Sequence, residues 1–204
     1  MATGLSGQFI LTGAPGAGKT VVLRQLETMG HAVVEEAATD VIALAQAKGV
    51  AEPHLDPAFI DAIVTLQDRR RKRTASPPLL GEGDPEGVEE APCSVYWAAK
   101  TFHDRSPICT LALAQYLGFR VSEVLARALR TIDQEKFYAR RVFFLRNLGF
   151  IVNTEARRIS FEDTLRFEQV HEDVYRGLGY ELVFIDPAGV EDRARRIVGL
   201  ALES

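Results

Sequence analysis

Lys19 and Thr20 close the string Gly13-Ala14-Pro15-Gly16-Ala17-Gly18-Lys19-Thr20, which follows the apolar run Phe9-Ile10-Leu11 and leads into Val21-Val22-Leu23. A strand, then G-x-x-x-x-G-K-T, then a helix is the setting of a phosphate-binding loop. Gly13, Gly16 and Gly18 let consecutive backbone N–H groups point inward, where they and the helix N-terminus meet phosphate oxygens. Lys19 is then expected to bridge the β- and γ-phosphates, and the Thr20 hydroxyl to ligate Mg²⁺. Ala14, Pro15, Ala17 and Val21 belong to the same binding stretch. The expected cofactors are ATP, with GTP as the alternative, and Mg²⁺.

The string Phe102-His103-Asp104-Arg105-Ser106-Pro107 is the next to carry chemistry. Asp104 ends an expected strand, and in a doubly wound sheet that end lies beside the phosphate loop. It is placed to hold Mg²⁺ through water or to accept a proton from an attacking hydroxyl. ATPases that hydrolyse for mechanical work usually set a Glu directly after this Asp, whereas this chain has Arg105. A guanidinium offers two parallel donors to a phosphate or a substrate hydroxyl, which suits transfer to a bound acceptor better than hydrolysis. An ion pair at a helix start is the bland alternative for Asp104 and Arg105. His103, on the other face of the strand, reads as a packed core histidine.

Glu35 and Glu36 end the second expected strand, and neighbours on a strand point to opposite faces. One of the two therefore suits an acceptor pocket, with Asp40 a helical turn beyond Glu36. Solvated carboxylates favouring a helix dipole are the competing reading. Between the fourth strand and the next helix, Arg146, Arg157 and Arg158 mark a lid over about 146–160 that would close on the γ-phosphate. Salt bridges to Glu155 or Glu162 are the alternative for this pair of arginines. Ala188, after Asp186-Pro187, is small enough to border a purine ring.

These residues need a framework, and the chain alternates short apolar runs with helical patterns. Strands are expected at Gln8–Thr12, His31–Glu35, Lys100–Asp104, Arg141–Leu145 and Tyr180–Asp186. Helices are expected after the glycine turn to Gly30, over Ala38–Lys48, over Pro57 to about Arg71 with Asp56 as N-cap, and from Ser106-Pro107 to near Gly118. Ser122 is expected to cap a helix through Lys136, Ser160 and Asp163 to open one over Phe161–Arg176, and Val190–Leu202 to close the chain. The result is a three-layer α/β/α sandwich with a five-stranded, mainly parallel sheet and its ligand site at the strand C-termini. Thr74 to Pro92 reads as a mobile loop, and the basic run Arg69–Arg73 before it as a solvated helix end.

Composition bounds the reading further. The chain has 204 residues, 24 Lys and Arg against 28 Asp and Glu, and two cysteines, Cys93 and Cys109. One domain over 1–204 is expected. The net charge of −4 disfavours a nucleic-acid coat. Two cysteines are too few for a disulfide framework, so a reduced cytoplasmic setting is expected. No membrane-spanning apolar run is present. An N/T-K-x-D guanine motif is also absent.

The segments FILTGAPGAGKT, GHAVVEEAATDVI, HDRSPICTLALAQYLG, VFFL and EARRISFEDTLRFEQVHEDVYRGLGYELV resemble the small P-loop family that includes the ribosylnicotinamide-kinase domain and its AAA-labelled ATPase-domain relatives. The resemblance covers most of the chain outside 74–92. It implies a P-loop kinase core, with Lys19 and Thr20 on phosphate and Mg²⁺, Asp104 near the reacting hydroxyl, and Arg157 and Arg158 in the lid. Two departures lie near the acceptor side: members often carry Arg at the position of Thr39 and an acidic residue near Arg146. They point to an acceptor other than nicotinamide riboside. The expectation is a Mg²⁺-dependent transfer of the ATP γ-phosphate to a hydroxyl of a small, nucleoside-like metabolite. The alternative is a nucleotide-gated switch or slow NTPase acting on a protein or lipid partner.

Overall fold

The computed structural model describes residues 7–13, 15–75, 100–147 and 161–203. Ala14, Arg157, Arg158, the expected cap Ser160, and most of the 74–92 loop and 146–160 lid lie outside them. Runs rich in β-branched and aromatic residues form β1 (Gln8–Thr12), β2 (Ala32–Val34), β3 (Thr101–Asp104), β4 (Arg141–Leu145) and β5 (Glu181–Ile185). Every pairing is parallel, and the order is β2-β3-β1-β4-β5. The helices are α1 (Lys19–Thr28), α2 (Ala37–Ala47), α3 (Ala58–Ala75), α4 (Pro107–Tyr116), α5 (Glu123–Gln134), α6 (Phe161–Gly177) and α7 (Val190–Leu202), with one 3-10 turn at Pro53–Leu55.

Strand alternation sorts the core into two layers. Phe9, Leu11, Phe102, Phe143 and Leu145 pack on one face against Leu23 and Leu26 of α1 and Ala194 and Ile197 of α7. Ile10 and Val142 face the other way, into Ile108 and Ala112 of α4, Leu125 of α5 and Tyr175 of α6. The site-bearing strands β1 and β3 lie side by side in the middle of this sandwich, buried on both faces. Their shared carboxyl edge is where an open parallel sheet binds ligands.

Caps account for the helix starts. Ser106 Oγ accepts from Ile108 N at 3.2 Å and Ser122 Oγ accepts from Leu125 N at 3.1 Å. Asp56 Oδ1 accepts from Ala58 N at 2.9 Å, and α3 begins there.

The basic run departs from expectation. Helix α3 continues through Thr74 and Ala75, and Arg70 and Arg71 are not solvated. Arg71 is 5 % exposed, donates to Asp68 Oδ1 at 2.9 Å and to Glu135, and lies over the Phe137 ring. Arg70 donates to the main-chain oxygens of Glu35 at 2.9 Å and Glu36 at 2.7 Å, and pairs with Asp40. Asp68 one turn back in the helix, together with Glu135, Asp40 and the Glu35 and Glu36 carbonyls from outside it, engages these two cations and lets the helix run past the point where its charges alone would end it.

Among the described residues, no helix is long and apolar enough to cross a membrane.

Candidate active site

The loop after β1 bends where glycine is required. Gly13 has φ 131°, and a side chain there would overlap the Leu145 carbonyl oxygen at the end of β4. Gly18 has φ 75°, and a Cβ would stand 3.0 Å from a guanidinium nitrogen of Arg193. Helix α1 then starts at Lys19, whose side chain is 7 % exposed and donates from Nζ to Gly13 O at 3.0 Å. The lysine thus arches back over the loop it closes. Val21 is 55 % exposed on the first turn.

Beside the loop, the Thr20 hydroxyl donates to Asp104 Oδ2 at 3.4 Å. Asp104 is 4 % exposed and its Oδ1 has no hydrogen-bond partner. Burial pushes its carboxyl up, while the charge of Lys19 draws it back. A hydroxyl next to a half-satisfied buried carboxylate is an oxygen pair of the kind a hard divalent cation takes. Among the described residues no cluster of three or more His, Cys, Asp or Glu side chains could hold a metal. An ion here would need phosphate oxygens and water for the rest of its shell.

Arg105 follows with φ 71°, a left-handed conformation rare for a side chain of its size. Its N–H donates to Leu11 O at 3.0 Å, which ties the strained turn to β1. Its Nε donates to Glu36 Oε1 at 2.7 Å, and both side chains are largely buried, at 9 % and 13 % exposed. Burial opposes the guanidinium charge, but the adjacent carboxylate more than restores it. Arg105 Nη1 also lies 3.4 Å from Nε2 of His171 on α6. Since Nδ1 of His171 faces the Phe167 carbonyl oxygen at 2.9 Å, that nitrogen is the donor and Nε2 the acceptor from Arg105.

His171 is fully buried, and burial with the neighbouring Arg105 charge lowers its pKa to about 3. His103 matches the expected core histidine. It is 2 % exposed, sits 2.7 Å from Gln8 Oε1 and edge-on to Tyr138, and burial again lowers its pKa to about 3. An unfolded chain protonates both near pH 6.5. Between the two values the unfolded state binds more protons, so stability falls as pH drops below about 6.5. By pH 5 the pair removes about 4 kcal/mol. Urea unfolding at pH 7 and pH 5 checks this, and equal midpoints would contradict it.

A cavity of about 220 Å³ opens beside these groups. Pro15 of the phosphate loop, Glu36 and Arg105 line it together with Phe59, Phe167 and Gln67. Its other walls are mostly apolar side chains of α2, α3 and α4. This is smaller than the usual range for ligand pockets of about 300–1,000 Å³, so it suits a small molecule.

The three acceptor-side carboxylates are not brought together. Only Glu36 lines the cavity, held by Arg105 and by the Thr39 hydroxyl at 2.7 Å. Glu35 points out of the opposite face of the strand end, pairs with Arg24 and lines a separate polar groove. Asp40 is taken by Arg70. Arg146, the first arginine of the expected lid, is engaged by Glu168 at 2.9 Å and Glu172 at 2.8 Å and stacks 3.8 Å from the Phe184 ring centre. Ala188 is exposed in the turn after β5. Arg70, His171 and Arg193 escaped the sequence reading. Each contacts a site element remote in sequence, and only the helical spacing of Phe167 and His171 gave a local cue.

No curated protein matches the sequence. Among solved structures, the NadR protein in complex with NAD and AMP-PNP superposes with a TM-score of 0.59 at 16 % identity, covering 98 % of this chain and 49 % of that one. The chain therefore spans about half the length of that relative. Deoxyadenosine kinase from M. mycoides with bound dCTP gives 0.56 at 13 % identity, over 97 % of this chain and 100 % of that one. The same enzyme with products dCMP and dCDP gives 0.54 at 13 % identity, over 96 % and 98 %. These likenesses show a shared α/β P-loop fold. The family model of the AAA domain matches residues 8–80 and 98–193, well over half of the sequence, and the chain belongs to that family.

Proposed function

We propose that this chain is a kinase that moves the γ-phosphate of ATP onto a hydroxyl of a small, nucleoside-like metabolite. The observation that carries this reading is the cavity lined by Pro15 of the phosphate loop together with the Glu36–Arg105 pair. A slow NTPase or switch has no need of a metabolite-sized chamber opening onto its phosphate loop. The solved structures with this fold were obtained with AMP-PNP and NAD, or with deoxynucleotides, which supports a nucleotide donor and a nucleoside-like acceptor.

In this reading the loop amides and Lys19 hold the triphosphate tail. Thr20 and Asp104 would hold Mg²⁺, which supplies charge neutralisation at the β- and γ-phosphate oxygens when bound. Glu36 accepts the proton of the acceptor hydroxyl as its oxygen forms a bond to the γ-phosphorus and the bond to the β-bridging oxygen breaks, releasing ADP. Arg105 holds that carboxylate in place through Nε and leaves its remaining N–H groups toward the transferred phosphoryl oxygens. Catalysis is then mostly positioning and charge stabilisation. Asp104, next to Thr20, suits the metal better than the proton.

The test is incubation of the protein and Mg²⁺ with γ-labelled ATP and a panel of nucleosides. Label in a nucleoside monophosphate is expected. ATP turnover that no acceptor alters would overturn the kinase reading in favour of the switch.

A further inference from the structure

Arg193 of α7 presents a physical puzzle. It is 4 % exposed, its Nη1 donates to Ala17 O at 2.9 Å, and its Nε has no partner. Among the described residues no carboxylate pairs with it, although almost every other buried or half-buried arginine here has one. A buried cation with no counter-ion is far more costly than an apolar chain of the same length. The helix that carries it gains nothing from the charge, since Ala194, Ile197 and Ala201 already seat α7 on the sheet beside α1.

The surroundings of the guanidinium belong to the phosphate loop. The guanidinium lies against the end of the phosphate loop, donating to Ala17 O and standing 3.0 Å from where a Cβ on Gly18, the residue before Lys19, would be. Gly18 lacks a side chain at the point where one would meet those nitrogens. Ala17 itself is fully buried, so little water screens the contact.

We infer that Arg193 is a second fixed cation of the phosphate site, acting from behind the loop: it braces Ala17 and Gly18, and its charge is compensated only when a polyphosphate occupies the loop. This rests on the reading of the loop as a nucleotide site. Arg193 is a positioning residue, because it contacts the loop and acts on phosphate through it. Its effect should grow with ligand charge, greatest for ATP and least for AMP. Removing it also relieves a buried unpaired charge, so the free protein should lose little stability or gain some.

Calorimetric titration with Mg²⁺-ATP, ADP and AMP, paired with thermal unfolding, tests this on the whole chain. Arg193→Met and Arg193→Gln are expected to weaken ATP binding by at least about tenfold and AMP binding much less. Their Tm should stay within about 3 °C of wild type or rise. Arg193→Lys should recover most of the ATP affinity. Arg193→Gln can still donate to Ala17 O, so wild-type affinity in that variant would show that the hydrogen bond suffices and would overturn the role of charge. A fall in Tm together with equal losses for all three nucleotides would mark a merely structural strut, and would also overturn it. If wild-type protein binds none of the nucleotides, the loop assignment itself fails; if it binds them and the variants match it, only the role of Arg193 does.

Discussion

Lys19→Met is expected to abolish nucleotide-dependent activity, lowering kcat/KM by about a thousandfold or more. The methionine fills a similar space, but it removes the ammonium that closes over the loop and donates to Gly13 O. The loop then faces the phosphates with amides alone on its inner side. Some stability should survive, because Leu23 and Leu26, which anchor α1 in the core, are untouched. Calorimetry with Mg²⁺-ATP and circular dichroism on the same sample separate these outcomes. ATP bound with wild-type affinity would mean that the Lys19 ammonium is not what holds the triphosphate.

Glu36→Gln is expected to leave ATP binding within about threefold of wild type and to cut phosphate transfer by about a thousandfold. The amide keeps an oxygen for Arg105 but cannot take up a proton, so the loss should fall on kcat rather than KM. It also leaves the buried Arg105 cation without its carboxylate, a change that costs about 3–5 kcal/mol when a buried pair is broken outright. Assays should therefore run well below the measured Tm of the variant. Asp104→Asn, compared in the same assay, should instead raise the Mg²⁺ concentration needed for half-maximal rate. Full transfer by Glu36→Gln would remove that carboxylate from the chemistry.

Much of this was legible in the residues because the signals were local. β1, β4 and α7 have the ends that apolar runs and turn residues predict, and Ser106 and Ser122 cap as their spacing implies. Strand alternation said that Glu35 and Glu36 would part company, but not which would face the cavity. That depended on Arg105, 69 residues away from Glu36 in sequence, and on Arg24. The overrun of α3 was hidden for the same reason: five consecutive cations look like a solvated end until Glu135 and the carbonyls after β2 are seen to engage two of them. His171 and Arg193 sit at helical spacings that read as core, and what sets them apart is a partner reached only through the fold.

The left-handed turn at Arg105 carries a last consequence. A glycine would relax that bend, yet it would delete the guanidinium that orients Glu36. Comfort of the main chain and competence for the proposed transfer are therefore opposed at a single position. Selection for a hardier protein alone would erode the reaction there first, and a search for thermostable variants should leave residue 105 alone.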